Sequence, residues 1–150
     1  MAFIISSLWV TIRSLFIIFG ICCAFYVSLN HTNKKTIAFL KKYGWEVNPE
    51  PIDKSEFIIP EIFDEVYENY NELQKEAGLD LTPYAGCAAI RYTYEVTNFP
   101  FDAKSPVRAN VILVDAEPVG GDICTVSIDG FMYSLNFNTT TCFSLSEMQW

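Results

Sequence analysis

Residues 14–29 form an apolar run, SLFIIFGICCAFYVSL, in which no side chain is charged. Mostly apolar residues also precede it at positions 2–12, with Arg13 between the two stretches. Roughly 17–25 such residues span the hydrocarbon core of a bilayer, and Trp9 and Tyr26 are of the aromatic type that favours membrane interfaces. The sequence therefore predicts that residues 1–31 are an N-terminal membrane anchor, a single helix in contact with the lipid bilayer.

Two other interpretations of this segment stay open. A cleavable signal peptide would use Arg13 in its charged region, but only Cys22-Cys23-Ala24 supplies small residues for cleavage, and these lie inside the apolar run. The segment could also be a helix buried in a protein core.

The orientation of the anchor rests on conflicting signals. Four lysines follow the run closely, which by the positive-inside rule places the rest of the chain in the cytoplasm; they are Lys34, Lys35, Lys41 and Lys42. An N-terminal signal anchor usually sends the following domain outward, and lysines of a folded domain are poor topogenic signals. We adopt the outward orientation, which makes the domain extracytoplasmic.

Two amphipathic helices are predicted after the anchor. Apolar residues at helical spacing indicate a helix over about 33–43 that ends at Gly44. Pro60 suits the first position of a second helix, which ends at Gly78. Its apolar stripe consists of Ile62, Phe63, Val66, Tyr67, Tyr70, Leu73 and Ala77, and acidic residues fill the other face.

Strands account for the rest of the domain. Two short strands, around Val47 and around Ile58, lie between the helices, and period-two alternation predicts four more after residue 86. Gly120-Gly121-Asp122, near the start of one of them, is typical of turns. Matching the inward faces sets Glu95 opposite Arg108 and Thr93 opposite Asn110. We predict an α+β domain over residues 32–137, with both helices on one face of an antiparallel sheet in the order α-β-β-α-β-β-β-β, and a loosely held tail, 138–150.

The net negative charge of the chain and its single histidine argue against several classes of function. The 150 residues carry a net charge of −8, whereas nucleic-acid-binding proteins need basic surface to neutralise phosphates. His31 is the one histidine, which argues against a histidine base or a multi-histidine metal site. We therefore expect no nucleic-acid partner, no metal and no cofactor.

Four polar residues are candidates for ligand binding. Arg91, Glu95 and Arg108 share the predicted outer face of the sheet, where an arginine pair with a carboxylate could hold an anion bidentately. Asp122 could act beside them as an acid or base. The alternative is a solvated cross-strand ion pair of little energetic weight. No residue is assigned a catalytic role.

Aromatic and cysteine residues supply two further hypotheses. A surface aromatic cluster could contact a partner if the loop at residues 98–106 projects; its members are Tyr92, Tyr94, Phe99 and Phe101. A disulfide between Cys87 and Cys124 is possible if their strands are neighbours, and the alternative is buried free thiols.

A family resemblance rests on a series of motifs. These are FLKKYGWEV, IPEIFDEVYENYNELQKEAGLDL, YAG, RYTYEVTNFP, VRANVILVD and GGDICTVSIDGFM, in this order. Over roughly Ile37 to Leu135 the chain resembles an uncharacterised domain family that occurs mainly in single-pass envelope proteins of clostridia-type Gram-positive bacteria. The resemblance implies an N-terminal anchor followed by one small domain, and it supplies no activity, ligand or catalytic residue.

These observations favour a non-enzymatic module in the bacterial envelope that binds an envelope protein or a small ligand. One alternative is a hydrolase-like or lyase-like enzyme that uses Glu95, Arg91, Arg108 and Asp122 around one pocket. Another is a structural subunit of a membrane complex, in which the span pairs through Gly20 and its small neighbours.

Overall fold

The computed structural model describes residues 31–101, 105–127 and 130–137. The chain divides into two units, Met1–Lys34 and Lys35–Trp150, and the account below concerns the second. Except for His31, the predicted anchor lies outside the described residues, as does the predicted tail. No helix within the described ranges is long and apolar enough to cross a membrane.

The described part of the chain is an α+β domain built on one five-stranded antiparallel sheet. The strands follow one another in space in chain order, β1-β2-β3-β4-β5. Helix α1 occupies residues 31–42. The elements after it are β1 (Asp53–Ile58), α2 (Glu65–Glu76), a short 3-10 turn (Thr82–Tyr84), β2 (Ala88–Glu95), β3 (Val107–Val114), β4 (Glu117–Thr125) and β5 (Met132–Ser134).

The central strands form in the register that their alternation predicts. Glu95 pairs with Arg108, and Thr93 pairs with Asn110. The register follows from burial, because a slip of one residue would turn the apolar side chains of β2 and β3 to the opposite face.

Only one strand separates the two helices, where two were predicted. Val47 forms an isolated bridge with Val96 and no strand. The neighbouring Trp45 is held by its side chain, because its indole Nε1 donates a hydrogen bond to the Leu135 carbonyl oxygen at 2.8 Å and its ring is buried in the core. The observed order is therefore α-β-α-β-β-β-β.

Helix α2 begins later than Pro60. Asp64 is its N-cap, and the Asp64 carboxylate accepts a hydrogen bond from the Tyr67 backbone N–H at 2.8 Å. Ile62 lies before the helix, and both Ile62 and Val66 are exposed. The predicted apolar stripe is therefore wrong at these two positions.

The helices pack on opposite faces of the sheet, which corrects the prediction that they share one. On the α1 face, Leu40 packs in one apolar cluster with Tyr94 and Val111. On the α2 face, Tyr67 and Tyr70 pack against a second cluster that contains Ile112. Because successive residues of a strand point to opposite faces, the neighbours Val111 and Ile112 serve different helices.

The β3–β4 hairpin turns through Asp115 and Ala116, both with positive φ, 50° and 62°. Two-residue hairpin turns of this kind favour glycine, because a Cβ is strained there. We expect Ala116→Gly to raise the free energy of unfolding by up to about 1 kcal/mol and the midpoint by a few degrees. Thermal unfolding of the full chain in mild detergent measures both quantities.

Asp115→Gly is the matched control for this turn. Aspartate tolerates positive φ better than alanine does, so Asp115→Gly should raise the free energy of unfolding by less than Ala116→Gly does. An unchanged or lower midpoint for Ala116→Gly would show that the relief of strain does not exceed the entropy that glycine adds to the unfolded chain.

Candidate functional site

Polar side chains collect on the α2 face of the sheet, and we call this set the polar patch. Strand register places them in two adjacent cross-strand rows, Glu95–Arg108–Cys124 and Thr93–Asn110–Asp122, with Arg91 beside them on β2. All four predicted ligand-binding residues, Arg91, Glu95, Arg108 and Asp122, therefore lie on one face. The patch arises because the polar positions of β2, β3 and β4 lie directly opposite one another in the strand register.

The row Thr93–Asn110–Asp122 is a buried chain of hydrogen bonds. The Thr93 hydroxyl donates to Asn110 Oδ1 at 2.7 Å, and Asn110 Nδ2 donates to Asp122 Oδ1 at 2.8 Å. The Tyr70 hydroxyl, which belongs to α2, donates to Asp122 Oδ2 at 2.8 Å. The row thus ties the helix to three strands, and each oxygen of the Asp122 carboxylate accepts a bond.

Burial dominates the ionisation of this network. Asp122 is only 2% exposed, and burial raises its pKa, while the bonds from Asn110 and Tyr70 and the charge of Arg91 act in the opposite direction. Burial also raises the pKa of the Tyr70 hydroxyl, and the neighbouring Asp122 raises it further. Tyr70 therefore acts as a hydrogen-bond donor at neutral pH.

Neither arginine of the polar patch forms an ion pair with another described residue. The two ion pairs in the described part of the chain are Lys35–Glu117 and Lys75–Glu72. Arg91 is exposed, and Arg108 is half-buried. The Nε atom of Arg108 is itself buried and has no hydrogen-bond partner among the described residues. An unpaired buried donor costs roughly 1–3 kcal/mol, so this atom marks a position where the chain leaves an interaction unfilled.

The cross-strand ion pair considered as an alternative does not form. Glu95 lies opposite Arg108 in register, but the Glu95 carboxylate accepts a hydrogen bond from Asn48 Nδ2 at 2.8 Å. Asn48 belongs to the segment between α1 and β1, which is fixed beside β2 by a bond from its backbone N–H to the Glu95 carbonyl oxygen. The loop thus engages Glu95, and no carboxylate in the described part of the chain pairs with Arg108.

The predicted aromatic cluster is a surface feature at only part of its positions. Tyr92 and Tyr94 are buried on the α1 face, because they are the inward residues of β2, and they offer no surface to a partner. Phe99 is half-buried and stacks on Trp45 and on Phe131. Phe101, 42% exposed, packs edge-on against Phe99.

The predicted disulfide is wrong. Cys87 and Cys124 are both free thiols. Cys87 precedes the first residue of β2, whereas Cys124 lies in the row of Glu95, at the other end of that strand. Eight residues of strand separate the two rows by roughly 26 Å, and a disulfide needs Cα atoms within about 7 Å. Burial raises the pKa of the Cys124 thiol to about 11, so this thiol is protonated at neutral pH.

Three members of the site escaped prediction as functional residues. Tyr70 follows the apolar periodicity of α2 and was assigned to its core stripe. Thr93 and Asn110 were placed opposite each other but on a solvated face. Their only signal is that two adjacent strands carry polar residues at matched positions, and a solvent-facing pair has the same pattern.

The described residues contain no group of three or more histidine, cysteine, aspartate or glutamate side chains that could hold a metal ion. The polar patch presents two arginine side chains, Arg91 and Arg108, and their donors are of the kind that can contact an anion. Arginine guanidinium groups present several donors in a planar fork, which matches carboxylate and phosphate oxygens.

Comparison with known proteins identifies one family model. Residues 39–123 match a domain of unknown function (DUF4830), a range that includes β1, α2, β2, β3 and the polar patch up to Asp122. No curated protein matches the chain, and no solved structure does. The family description names no activity, ligand or location.

Proposed function

We propose that this chain, which belongs to the family of domains of unknown function DUF4830, is a non-enzymatic binding module whose polar patch holds a small oxyanion. The observation that carries the proposal is the buried Nε of Arg108, which has no hydrogen-bond partner in the described part of the chain. A carboxylate or phosphate oxygen would supply that partner and a counter-charge together, once a change of the Arg108 rotamer brings the Nε atom to the surface.

The strand register provides a second arginine for the same ligand. Arg91 precedes Glu95 by four residues on β2, and Glu95 pairs with Arg108. The two arginine Cα atoms are therefore roughly 14 Å apart, and the Thr93–Asn110 pair lies between them. The pair itself is buried, so the oxyanion would lie at the surface beside it, where the two long arginine side chains can converge.

The burial and the hydrogen bonds of the Asp122 carboxyl group favour binding over catalysis. The alternative enzyme would need this carboxyl group as an acid or base in contact with a substrate. Both of its oxygens are already hydrogen-bonded to Tyr70 and Asn110, and it is 2% exposed. Asp122 therefore serves to position Asn110 and α2, and the arginines are the groups left to meet a ligand.

Titration of the full chain in mild detergent with inorganic phosphate and with succinate tests the proposal. Nitrogen-15 NMR of the arginine side chains reports on each Nε–H directly. We expect saturable shifts of the Arg108 Nε–H signal, because this group gains a partner. Arg108→Gln should weaken binding about tenfold or more, since a charge-assisted hydrogen bond is worth roughly 1.5–3 kcal/mol.

The matched control is Lys54→Gln, which removes an exposed cation from β1 on the opposite face of the sheet. It should leave the titration unchanged, and potassium chloride at equal ionic strength should produce no saturable shift. The proposal fails if chloride reproduces the phosphate effect, or if Arg108→Gln binds both anions as the native chain does.

The location of the module is a second part of the proposal. The uncharged run at residues 14–29 is long enough, with its apolar neighbours, to anchor the chain in a membrane, and the usual outward orientation after an N-terminal signal anchor favours a domain on the outer side. In that arrangement the patch faces the bacterial envelope, where the ligand could also be an anionic group of an envelope protein.

Protease added to intact, wall-stripped cells that express the chain with a C-terminal tag tests this location. An outer domain loses the tag while a cytoplasmic control protein survives. Survival of the tag until the membrane is broken would place the domain in the cytoplasm, as the lysine count predicts. Recovery of the tag in the soluble fraction would contradict the anchor.

A further inference from the structure

We infer that the outer edge of β1 is an interface for a second copy of this chain, in which the two β1 strands pair antiparallel about a two-fold axis at Ser55. The two five-stranded sheets then form one continuous sheet. This inference is independent of the proposed anion ligand, because it rests on β1 and needs neither arginine of the polar patch.

The free edge of β1 carries unpaired backbone groups. Among the described strands, β1 pairs with β2 alone and ends the sheet on that side. The Ile59 backbone N–H donates to the Cys87 carbonyl oxygen, and in an antiparallel ladder the residues that bond to one neighbour alternate with those that face away. Lys54, Glu56 and Ile58 therefore direct their backbone N–H and C=O groups outward.

Charge selects one register for the pairing of two such edges. With the axis at Ser55, Lys54 of each copy lies opposite Glu56 of the other. If the two-fold axis lay at residue 54, Lys54 of one copy would lie opposite Lys54 of the other. If it lay at residue 56, Glu56 would lie opposite Glu56. Opposite charges directly across strands stabilise pairing, and like charges destabilise it.

Apolar side chains flank this charged centre in the same register. Ile58 is 68% exposed and Ile52 is 54% exposed, and each Ile58 approaches the other copy's Ile52. The Ile52 backbone N–H already bonds to the Thr93 carbonyl oxygen, so Ile52 contributes apolar contact rather than ladder bonds. Burial of these isoleucines supplies a hydrophobic contribution at both ends of the strand pair.

The axis also falls on an unpartnered hydroxyl group. Ser55 Oγ is buried and has no hydrogen-bond partner among the described residues. In the proposed register Ser55 lies directly opposite its equivalent, and a serine pair across strands can exchange a hydrogen bond. The charges, the exposed isoleucines and the hydroxyl all indicate the same register.

A charge-reversal series tests the interface in the full chain in mild detergent, with the dimer measured by analytical ultracentrifugation. Lys54→Glu or Glu56→Lys alone converts two attractive pairs into two repulsive ones, and we expect the dimer dissociation constant to rise about tenfold or more. The double variant Lys54→Glu/Glu56→Lys restores opposite charges and should recover the native constant. Circular dichroism confirms that all three variants fold.

Cysteine cross-linking tests the register itself. Directly opposed residues in a non-hydrogen-bonded pair have Cα atoms about 4.5 Å apart, within the range of a disulfide. Ser55→Cys should therefore form a covalent dimer under mild oxidation, beyond the background of the native chain. Asp53→Cys, on the same face, is the control. In the proposed register, position 53 of one copy lies several residues along the strand from position 53 of the other, too far for a disulfide.

Three results would overturn the inference. The first is a chain that stays monomeric at all concentrations up to about 100 µM, because a dimer that does not form there would have a dissociation constant well above this concentration. The second is a dimer whose dissociation constant is unchanged by Lys54→Glu. The third is equal cross-linking of Asp53→Cys and Ser55→Cys, which would indicate contact without the proposed register.

Discussion

Replacement of Gly121 by alanine is expected to cost about 3 kcal/mol or more in the free energy of unfolding, which is at or above the usual range for an overpacked core. A Cβ at this position would lie 2.5 Å from the Asn110 carbonyl oxygen and 2.8 Å from Leu135 Cδ1. The first of these atoms is backbone of the paired strand β3, so it cannot move without breaking the ladder. Thermal and urea unfolding of the full chain in mild detergent measure the loss.

Gly120→Ala is the matched control, one residue away in the same strand. Its Cβ would meet Leu81 Cδ2 at 2.9 Å and Gln74 Oε1 at 3.1 Å, and both atoms are the far ends of flexible side chains. We expect this variant to lose clearly less stability than Gly121→Ala. Equal losses would show that the two strands can separate locally at Gly121, contrary to the argument from the backbone contact.

The role of Gly121 could not be predicted from its neighbours in the sequence. Gly120-Gly121-Asp122 has the composition of a turn, yet all three residues are in β4. Glycine is needed because β4 and Leu135 approach β3 closely here, and the Gly121 backbone N–H also donates to Gln74 Oε1 at 2.7 Å. Such close approaches are tertiary facts, and local composition carries no signal for them.

The sheet was the most predictable part of the fold. β2 alternates from Ile90 to Glu95 and β3 from Val107 to Val111, so the apolar residues of these stretches fix their faces and thereby the pairing of Glu95 with Arg108. The edge elements were less predictable. Val47 was expected in a strand, but its neighbour Trp45 is anchored by a side-chain bond to Leu135, ninety residues later, and no local pattern reports such a contact.

The face that α2 occupies explains what was missed at the site. Period-two alternation gives polar residues on one side of β2 and β3 whether that side meets water or a helix. Here Tyr70 of α2 reaches Asp122 and converts a face that was expected to be solvated into a partly buried network. The positions of Arg91, Glu95 and Arg108 on one face followed from the sequence. Asp122 was expected in a turn and lies in β4 instead, and the hydrogen-bond partners of Glu95 and Asp122 could not be predicted.

The other large effect is expected for Asn110→Ala, which should lower the free energy of unfolding at neutral pH by about 2–4 kcal/mol. The Asn110 side chain donates to Asp122 at 2.8 Å and accepts from the Thr93 hydroxyl at 2.7 Å. Its removal leaves a buried carboxylate with one bond fewer and a buried hydroxyl without its acceptor. Unfolding of the full chain in mild detergent, measured as a function of pH, tests both the size of the loss and its cause.

The pH dependence separates the lost charge interaction from simple loss of volume. Burial already raises the pKa of folded Asp122 above its ordinary value of 3.8, and the bond from Asn110 lowers it, so Asn110→Ala raises it further. A raised carboxyl pKa in the folded state favours the protonated folded form. Its ionisation therefore removes stability as the pH rises from about 4 through the folded-state pKa.

We accordingly expect the deficit of Asn110→Ala, relative to the native chain, to be larger at pH 7 than at pH 4. The control is the same substitution in an Asp122→Asn background, where no carboxyl group titrates at this position. There the deficit should be independent of pH, because only packing and neutral hydrogen bonds are lost. A deficit that is the same at both pH values in the native background would mean that Asp122 is already protonated at pH 7, and that Asn110 stabilises the sheet without stabilising a charge.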